Sequence, residues 1–303
     1  MHDDLRQPGA QLTRPLLTQA TKNQAQATER QRITMINGQK VGCGIVTYNR
    51  PALLRKLYDS LPADIIDSIV IINDGDAYPE HSAYDSDVLF NNESNLGVGK
   101  SKNRALSLLL DAGCEHLFLI EDDIYIKSPE VFELYILTST LTGIQHLNYS
   151  QHGLMNKTPD GEANAVCKID YGNGINLPLY RHCVGAFSYY SRRSLEAAGL
   201  MDETYHNAFE HVDHTLAIIN QNMHPPFWFF ADIDHSERYL GDEPWSYEQS
   251  TISSSNLHKQ NVLDATEHFK LKHGCEPVKH PLASNQELMD SLNSIKQSFG
   301  LNL

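Results

Sequence analysis

The sequence predicts an α/β fold built on a mostly parallel, wound sheet with flanking helices. Four short apolar runs alternate with helix-like segments within the first ~125 residues, a pattern typical of such sheets. The run after His116, Leu-Phe-Leu-Ile, is wholly apolar, as expected of a strand buried on both faces. Polar residues follow these runs directly, at the carboxyl ends of strands, where open α/β sheets bind their ligands.

The predicted elements follow one another in a regular order. The first helix begins at Pro51, because proline favours the first helical position. Strands are predicted over 41–47, 68–72, 87–90, 116–120, 184–190 and 226–231, and helices from 51, from 95–99 to 110, from about 129, and over 192–198, 207–221, 258–273 and 284–298. Residues 143–182 lack periodicity and are predicted to form a long irregular loop, a feature that is more often functional than not.

Composition excludes several classes of protein. A formal net charge of −14 argues against a nucleic-acid or anionic-membrane surface, since both need basic residues. Five cysteines without a CxxC motif indicate reduced thiols rather than a disulfide framework. The N-terminus has no apolar core of a signal peptide, and no run approaches the ~18 apolar residues of a membrane span. We therefore expect a cytoplasmic protein, with peripheral attachment to the inner membrane as the alternative.

The sequence also predicts a division into three parts. Residues 1–38 are rich in Gln, Thr, Ala and Arg and are expected to be a poorly ordered or peripheral segment. Residues 39–240 carry the α/β pattern. Residues 241–303 are polar with two amphipathic helices, and are expected to form a helical extension that packs on the α/β part.

Three adjacent carboxylates, Glu121, Asp122 and Asp123, end the fourth strand. Such a cluster is strongly repulsive unless a cation or hydrogen-bond donors lie between its members. Hard divalent cations such as Mg²⁺ and Mn²⁺ choose carboxylate and phosphate oxygens. The cluster therefore predicts a metal–diphosphate site, and the alternative is an acidic, solvated turn after a core strand.

Six segments taken together resemble the landmarks of a known family. In order along residues 40–235 they read VTYNRP, INDGD, NESNLGVGKSKNRAL, FLIEDD, GAFSYYSRRSLEAAGLMDE and FEHVDHTL. They resemble GT-A glycosyltransferases of family 2 type, in particular bacterial enzymes that assemble surface glycans. The resemblance implies a GT-A catalytic domain over 39–240 and a hexosyl or N-acetylhexosaminyl transfer from a UDP-sugar.

The resemblance also implies roles for individual residues. The donor would be bound by residues at the strand ends, at the start of the helix after the third strand, and on the strand near 185: Thr47, Tyr48, Asn49, Arg50, Asp74, Arg104, Asp122 and Gly185. Mn²⁺ or Mg²⁺ would be held by Asp123, with Glu121 and His235 as further ligands. For several of these positions a structural role is the alternative: Asn-Arg-Pro and Asp74 as turn formers, Gly185 as sheet packing and His235 as a surface histidine. Lys100 and Lys102 are expected to lie on a solvated face.

The candidate general bases lie together near the start of the helix over 207–221. Glu210, His211 and Asp213 occupy the segment in which the resembled family commonly has Glu-Asp-x-Asp. His211 departs from that pattern at the position that often deprotonates the acceptor. A neutral imidazole can act as a base near neutral pH, and we rank Glu210 first, His211 second and Asp213 third. A zinc site at His211 and His214 is disfavoured, because zinc-binding histidines on a helix are usually four residues apart.

Two other functions remain open at this stage. The replacement at His211 leaves room for a catalytically silent GT-A domain that acts as a binding or scaffold module in a glycan-assembly complex. A sugar-nucleotide pyrophosphorylase is the third possibility, but VTYNRPALL lacks the Gly-rich, basic signature which that chemistry usually needs. The acceptor is expected to be a glycan or another saccharide, free or lipid-linked, with Trp245 and Tyr247 as candidate contacts, whereas Phe227–Phe230 are expected to belong to the core.

Overall fold

The computed structural model describes residues 38–77, 84, 86–172, 174–244, 250 and 252–301. Its strands are β1 (Lys40–Thr47), β2 (Ser68–Asn73), β3 (Val88–Asn91), β4 (Cys114–Glu121), β5 (Ile124–Ile126), β6 (His146–Asn148), β7 (Cys167–Asp170), β8 (Asn176–Tyr180), β9 (Phe187–Ser191), β10 (Phe230–Ala231) and β11 (Leu240–Asp242). Its helices are α1 (Pro51–Ser60), α2 (Val98–Asp111), α3 (Glu130–Thr142), α4 (Arg192–Ala198), α5 (Glu210–Asn220), α6 (His258–His273) and α7 (Asn285–Ser298). The predicted segment 1–38 lies outside these residues except for Gly38, as do Trp245 and Tyr247.

The central sheet has six strands in the order β3-β2-β1-β4-β9-β6. The first four pair in parallel, and β9 runs antiparallel to both β4 and β6. The predicted mostly parallel, wound sheet is confirmed. Two small antiparallel sheets, β10-β8-β7 and β11-β5, accompany it.

Helices cover both faces of the sheet, and β4 shows why. Leu117 and Leu119 on one face belong to the same buried cluster as Leu106 and Leu109 of α2. Phe118, between them in sequence, points to the other face, where its ring lies 4.7 Å from that of Phe132 in α3. Because successive side chains of a strand alternate between faces, a wholly apolar run is what a doubly covered strand requires.

Two sequence expectations about strands are wrong in detail. The apolar run 226–231 is a strand only at Phe230–Ala231, since Trp228 adopts a left-handed backbone (φ 73°) that interrupts an extended chain. Phe227 and Phe229 are nevertheless buried, so burial was predicted correctly and the element was not. The supposedly irregular segment 143–182 contains β6, β7 and β8.

The two C-terminal helices occupy the predicted positions. Ala265 and Phe269 of α6 are buried in a cluster that includes Tyr205 and Leu216. Helix α7 begins with a capping box in which Ser284 and Glu287 satisfy each other's backbone amides. No helix in the described part of the chain is long and apolar enough to cross a membrane.

Candidate active site

The register of the parallel strands brings three polar positions to one edge of the sheet. Thr47 at the end of β1 lies opposite Asn73 of β2, and Val46 lies opposite Glu121 of β4. The residues that follow, Asp74 and Asp122, therefore leave the sheet at the same edge as Thr47. The Thr47 hydroxyl donates a hydrogen bond of 2.6 Å to Asp122 Oδ2.

A small cavity opens at this edge, and several predicted donor-binding residues share it. Thr47, Tyr48, Arg50, Asp74 and Glu121 line a space of about 60 Å³. Four of them, Thr47, Tyr48, Arg50 and Asp74, are predicted donor-binding residues, and Glu121 is a predicted metal ligand.

Arg50 pairs with both aspartates of the acidic cluster. Its guanidinium contacts Asp122 Oδ1 and lies 3.1 Å from Asp123 Oδ2. Burial raises the pKa of Asp122 to about 7, against the lowering effects of Arg50 and of the Thr47 hydrogen bond. The carboxylates of Asp122 and Asp123 are therefore stabilised at the strand end by the guanidinium of Arg50 between them.

Asp123 retains an oxygen that fits a metal ion. Its Oδ1 is buried and has no hydrogen-bond partner among the described residues, and a buried acceptor without a partner is costly. Mg²⁺ is commonly held by one or two carboxylates together with substrate phosphates. The donor set at this position thus fits a hard cation bound by Asp123 and by the phosphates of a ligand.

The other two predicted metal ligands have other partners in the structure. Glu121 lies 2.7 Å from Lys102 Nζ, and His235 is 47% exposed, with Glu237 3.4 Å away. Within the described ranges, no group of three or more His, Cys, Asp or Glu side chains is arranged to hold a metal. The structure therefore supports Asp123 as a ligand position but does not assemble the predicted set.

Lys102 is the main residue that the sequence reasoning placed wrongly. It is 1% exposed rather than solvated, and its ammonium contacts Glu121 Oε1 (2.7 Å), Glu210 Oε1 (3.3 Å) and the Gly185 carbonyl (3.1 Å). An ammonium has three donors, so all of them are used. The helical spacing could have predicted the burial of Lys102, because Lys102 lies four residues before the buried Leu106 and therefore on the same inner face of α2.

Glu210 and His211 form a hydrogen-bonded pair at the start of α5. His211 Nδ1 lies 3.0 Å from Glu210 Oε1, and Glu210 is 3% exposed. Burial raises the pKa of Glu210, but its interactions with His211 and with the Lys102 ammonium together outweigh burial and hold the pKa well below its usual range. The His211 ring rests on Gly185, where a Cβ would lie 2.8 Å from His211 Cγ, so any larger residue there would displace the imidazole.

A larger cavity of about 530 Å³ contains this pair. It shares Val98, Glu121, Asn207 and Ile252 with the lining of the smaller cavity, so the two spaces adjoin. Glu210 and His211 therefore face a volume that continues into the acidic strand end.

His152 also lines the larger cavity and was not singled out from the sequence. Its Nδ1 lies 2.6 Å from Asp242 Oδ1 in β11, and β11 is held beside the acidic cluster because it pairs with β5. Burial lowers the pKa of His152, but the hydrogen bond that it donates to Asp242 and the nearby charge of Asp123 raise the pKa above its ordinary value. The sequence offers no local signal for this pair, since its members are 90 residues apart.

Asp213 is not part of the cavity. Its carboxylate accepts from Lys272 Nζ (2.8 Å), from Tyr205 OH (3.2 Å) and from His273 Nε2 (2.6 Å). Asp213, the third-ranked candidate base, is thus covered by α6. Asp213 instead ties α6 to the first turn of α5.

Three of the predicted donor residues contact loops or lie away from the strand ends. Asp74 accepts the backbone amides of Leu96 and Gly97, at 2.8 and 2.9 Å, so that it fixes the loop before α2. Asn49 accepts from the amide of Asp76 at 2.8 Å. Arg104 lies over the Phe90 ring, 4.2 Å from its centroid.

Arg104 therefore belongs to a different part of the surface from the other predicted donor residues. It lines a separate cavity with Leu96, Lys100 and Leu108. The cation of α2 that lies beside the acidic strand end is the buried Lys102, which contacts Glu121 and Glu210.

Comparison with known proteins identifies the architecture. No protein-family model matches the chain, and no curated protein matches it either. Among solved structures, the mannosyltransferase PcManGT from Pyrobaculum calidifontis, in complex with GDP-Man and Mn²⁺, aligns with a TM-score of 0.50 and 11% identity over 91% of this chain and 77% of that one. The chain has the GT-A fold.

Two further structures align less closely. GalNAc-T7 with UDP, GalNAc and Mn²⁺ gives a TM-score of 0.49 at 12% identity, over 95% of this chain and 64% of that chain. Glucosyl-3-phosphoglycerate synthase from Mycobacterium tuberculosis, with Mn²⁺, UDP and phosphoglyceric acid, gives 0.43 at 14% identity, over 69% and 71%. The GT-A assignment rests on the first comparison and on the sheet topology, and at these identities it concerns the fold alone.

Proposed function

We propose that this chain is an inverting, metal-dependent glycosyltransferase that moves a sugar from a nucleotide-diphosphate donor to an acceptor hydroxyl. One observation carries the proposal: the acidic strand end and the Glu210–His211 pair face two adjoining cavities of a GT-A fold. A glycosyl transfer needs a site that neutralises the charge of the donor diphosphate, next to a general base that removes the proton of the acceptor hydroxyl. The preference for UDP, a cytoplasmic location and a role in bacterial surface polysaccharide assembly rest on the sequence resemblance.

On the donor side, the chain offers groups for each part of a nucleotide diphosphate. Tyr48 and Thr47 line the small cavity at the end of β1, beside which a base and ribose would bind. Arg50 supplies a positive charge at the carboxyl ends of the strands, and the unpartnered Oδ1 of Asp123 can coordinate a cation. A bound Mn²⁺ or Mg²⁺ would neutralise the charge that develops on the departing nucleotide.

On the acceptor side, the hydrogen bonding favours His211 over Glu210 as the base. Because Glu210 is ionised, the hydrogen between the two residues belongs to His211 Nδ1, which leaves the lone pair of the neutral ring on Nε2. Glu210 already faces Lys102 and has a lowered pKa, which makes it a weak base. Its place in the reaction is then to fix the tautomer and orientation of the imidazole.

The proposed step is a direct displacement. The acceptor hydroxyl gives its proton to His211 Nε2 as its oxygen bonds to the anomeric carbon. The bond from that carbon to the phosphate oxygen breaks, and its electron pair leaves with the nucleotide diphosphate. Attack from the face opposite the leaving group inverts the anomeric configuration.

The proposal is tested by measuring nucleotide release from a panel of UDP- and GDP-sugars with Mn²⁺, with and without acceptors. Acceptor-dependent release that stops when EDTA is in excess is the expected result, and NMR of the product should show an inverted anomeric centre. Release that proceeds unchanged in EDTA would remove the metal from the proposal, and a retained configuration would remove direct displacement.

One observation favours a second function, that of a catalytically silent GT-A binding module. Arg50 pairs with Asp122 and Asp123, and Glu121 is paired with Lys102, so each carboxylate of the acidic cluster has a cationic partner without a metal. A silent module would bind a nucleotide sugar in EDTA as tightly as in Mn²⁺ and release no nucleotide diphosphate. Calorimetric titration of the same donors, beside the release assay, separates the two functions.

A further inference from the structure

The lining of the larger cavity includes two sets of residues of different chemistry, which we call the polar wall and the aliphatic wall. The polar wall consists of Glu121, His152, Asn207, Glu210 and His211. The aliphatic wall consists of Leu154, Met155, Val184, Ala186, Ala208 and Ile252.

Most groups of the polar wall are already engaged within the protein. Glu121 pairs with Lys102, and His152 pairs with Asp242. The Asn207 side-chain oxygen accepts from the Val98 amide at 3.1 Å. These contacts leave few side-chain groups to recognise the hydroxyls of an extended saccharide, each of which needs a hydrogen-bond partner when it is buried.

Two further polar groups, Glu210 and His211, are occupied with each other. Among the described residues that line the cavity there is no Phe, Tyr or Trp on which a sugar ring could stack. The polar wall is therefore suited to one reacting hydroxyl and its proton rather than to an oligosaccharide.

The aliphatic wall includes two large side chains that are strongly exposed. Leu154 is 72% and Met155 is 64% exposed, and they are adjacent in the loop that also carries His152. Exposed apolar side chains at a concave site mark a place where an apolar ligand can remove them from water. Their position beside His152 puts this apolar surface within the same cavity as the proposed base.

We propose that the acceptor carries an apolar chain of the alkyl or polyprenyl kind next to its reacting hydroxyl, and that Leu154 and Met155 bind this chain. This inference rests on the proposed function for the identity of the reacting site. Aliphatic rather than aromatic chains fit, because the wall is built from Leu, Met, Val, Ala and Ile side chains. The shared chemistry admits two sources, a lipid-linked saccharide or a free long-chain alcohol.

The first experiment measures binding without any donor. Octyl glucoside below its micellar concentration, methyl glucoside and octanol are titrated calorimetrically into the full chain. We expect octyl glucoside to bind at least ~10-fold more tightly than methyl glucoside, since burying two or more methylenes exceeds one factor of ten. Equal affinities would overturn the inference. Tighter binding of octyl glucoside than of octanol supports a lipid-linked saccharide, and equal binding of these two supports a free alcohol.

The second experiment uses Leu154→Ser and Met155→Ser, with Leu282→Ser as a matched control. Leu282 is a loop leucine that is 55% exposed and does not line the cavity. Each cavity variant should weaken octyl glucoside binding by about 3- to 10-fold, whereas methyl glucoside binding and the control should not change. An undiminished octyl preference in both variants would overturn the assignment of the wall.

The third experiment separates this inference from the proposed function. Nucleotide release is measured with a donor and either octyl or methyl glucoside. Transfer to both glycosides at equal kcat/KM keeps the glycosyltransferase and overturns the apolar acceptor. If no donor is turned over with any acceptor, the proposed function fails, and the calorimetric comparison still decides the chemistry of the cavity.

Discussion

Replacing Lys102 by methionine should destabilise the protein in a manner that depends on pH. The ammonium lies 2.7 Å from Glu121 and 3.3 Å from Glu210, which corresponds to attractions of ~6 and ~5 kcal/mol at an effective dielectric constant of ~20. Much of this is offset by the cost of burying the ammonium. Removing one partner of a buried ion pair costs ~3–5 kcal/mol, because the other charge stays buried without compensation.

The expected change is therefore a loss of ~3–5 kcal/mol in the free energy of unfolding, or roughly 6–20 °C in Tm for a chain of this size. Glu210 should account for most of it, since it is 3% exposed whereas the Glu121 side chain is 21% exposed and partly screened by water. Methionine preserves the length of the aliphatic stem, so the loss of packing is small. Lys100→Met is the matched control, because Lys100 is exposed on the same helix.

The sign of the pH dependence follows from the two glutamates. Burial raises their pKa values, but Lys102, with His211 at Glu210, holds both below the ordinary value. In the wild type their contribution is present above the unfolded-state pKa of ~4.3 and is lost as the pH falls through the lower folded-state pKa. Without the ammonium, burial moves the folded-state values upward, and the variant gains stability as the pH falls.

The deficit between variant and wild type should therefore be largest near pH 8 and should shrink toward pH 5. Thermal and urea unfolding followed by circular dichroism at both pH values provide the measurement. A deficit below ~1 kcal/mol, or one that is equal at both pH values, would refute the idea that Lys102 compensates two buried carboxylates. Adding Glu121→Gln to the variant should recover part of the loss.

Three further predictions follow from the site. UDP or GDP with Mn²⁺ should stabilise the wild type by ~2.7 kcal/mol at a ligand concentration 100 times Kd, and Asp123→Asn should not be stabilised. A thermal shift that survives in the variant would exclude Asp123 as a metal ligand. His211→Gln should lower kcat by ~10²–10⁴-fold with the donor Kd unchanged, whereas Glu210→Gln should keep a larger residual rate. If Glu210→Gln is the inactive variant and His211→Gln is active, the roles are reversed. Asp213→Asn should lower the free energy of unfolding by ~1–3 kcal/mol, because it weakens the contact with His273, and should leave kcat within about twofold of the wild type. An inactive but stable variant would return Asp213 to the candidate bases.

The parallel part of the sheet was predictable because its strands are encoded locally. β1, β2, β3 and β4 lie within a residue or two of their predicted positions. β1, β2 and β4 are buried along almost their whole length, and strands buried on both faces are apolar nearly throughout. β3 is less buried, and its apolar run Val-Leu-Phe is what marks it. The same reasoning misassigned 226–231, because apolar residues are equally buried in an irregular turn. Short half-buried strands such as β7, which alternates between half-buried and exposed residues, carry too weak a pattern over four residues to be recognised.

The candidate site was predictable where the strand ends define it and not where distant residues meet. Thr47, Arg50 and Asp122 follow strands that pair in register, so their convergence follows from the sheet. The partners of Lys102 and His152 come from elements 19 to 108 residues away, and neither sequence spacing nor composition records such contacts. Arg104 illustrates the opposite case. It lies only two residues after Lys102 on α2, yet Lys102 is buried beside the acidic cluster whereas Arg104 lies over the Phe90 ring.

Lys102 also gives a single physical account of the two positions at which the chain departs from the resembled family. Glu121 stands where that family usually has aspartate, and its carboxylate reaches the ammonium of Lys102 rather than the metal position at Asp123. His211 stands where the family often has its base, and its partner Glu210 binds the same ammonium. A change at either carboxylate therefore alters the charge balance of the other. We expect Glu121→Gln and Glu210→Gln to be non-additive in unfolding free energy by ~0.5–3 kcal/mol, as is found for members of one buried network; strict additivity would mean that the donor and acceptor sides are electrostatically independent.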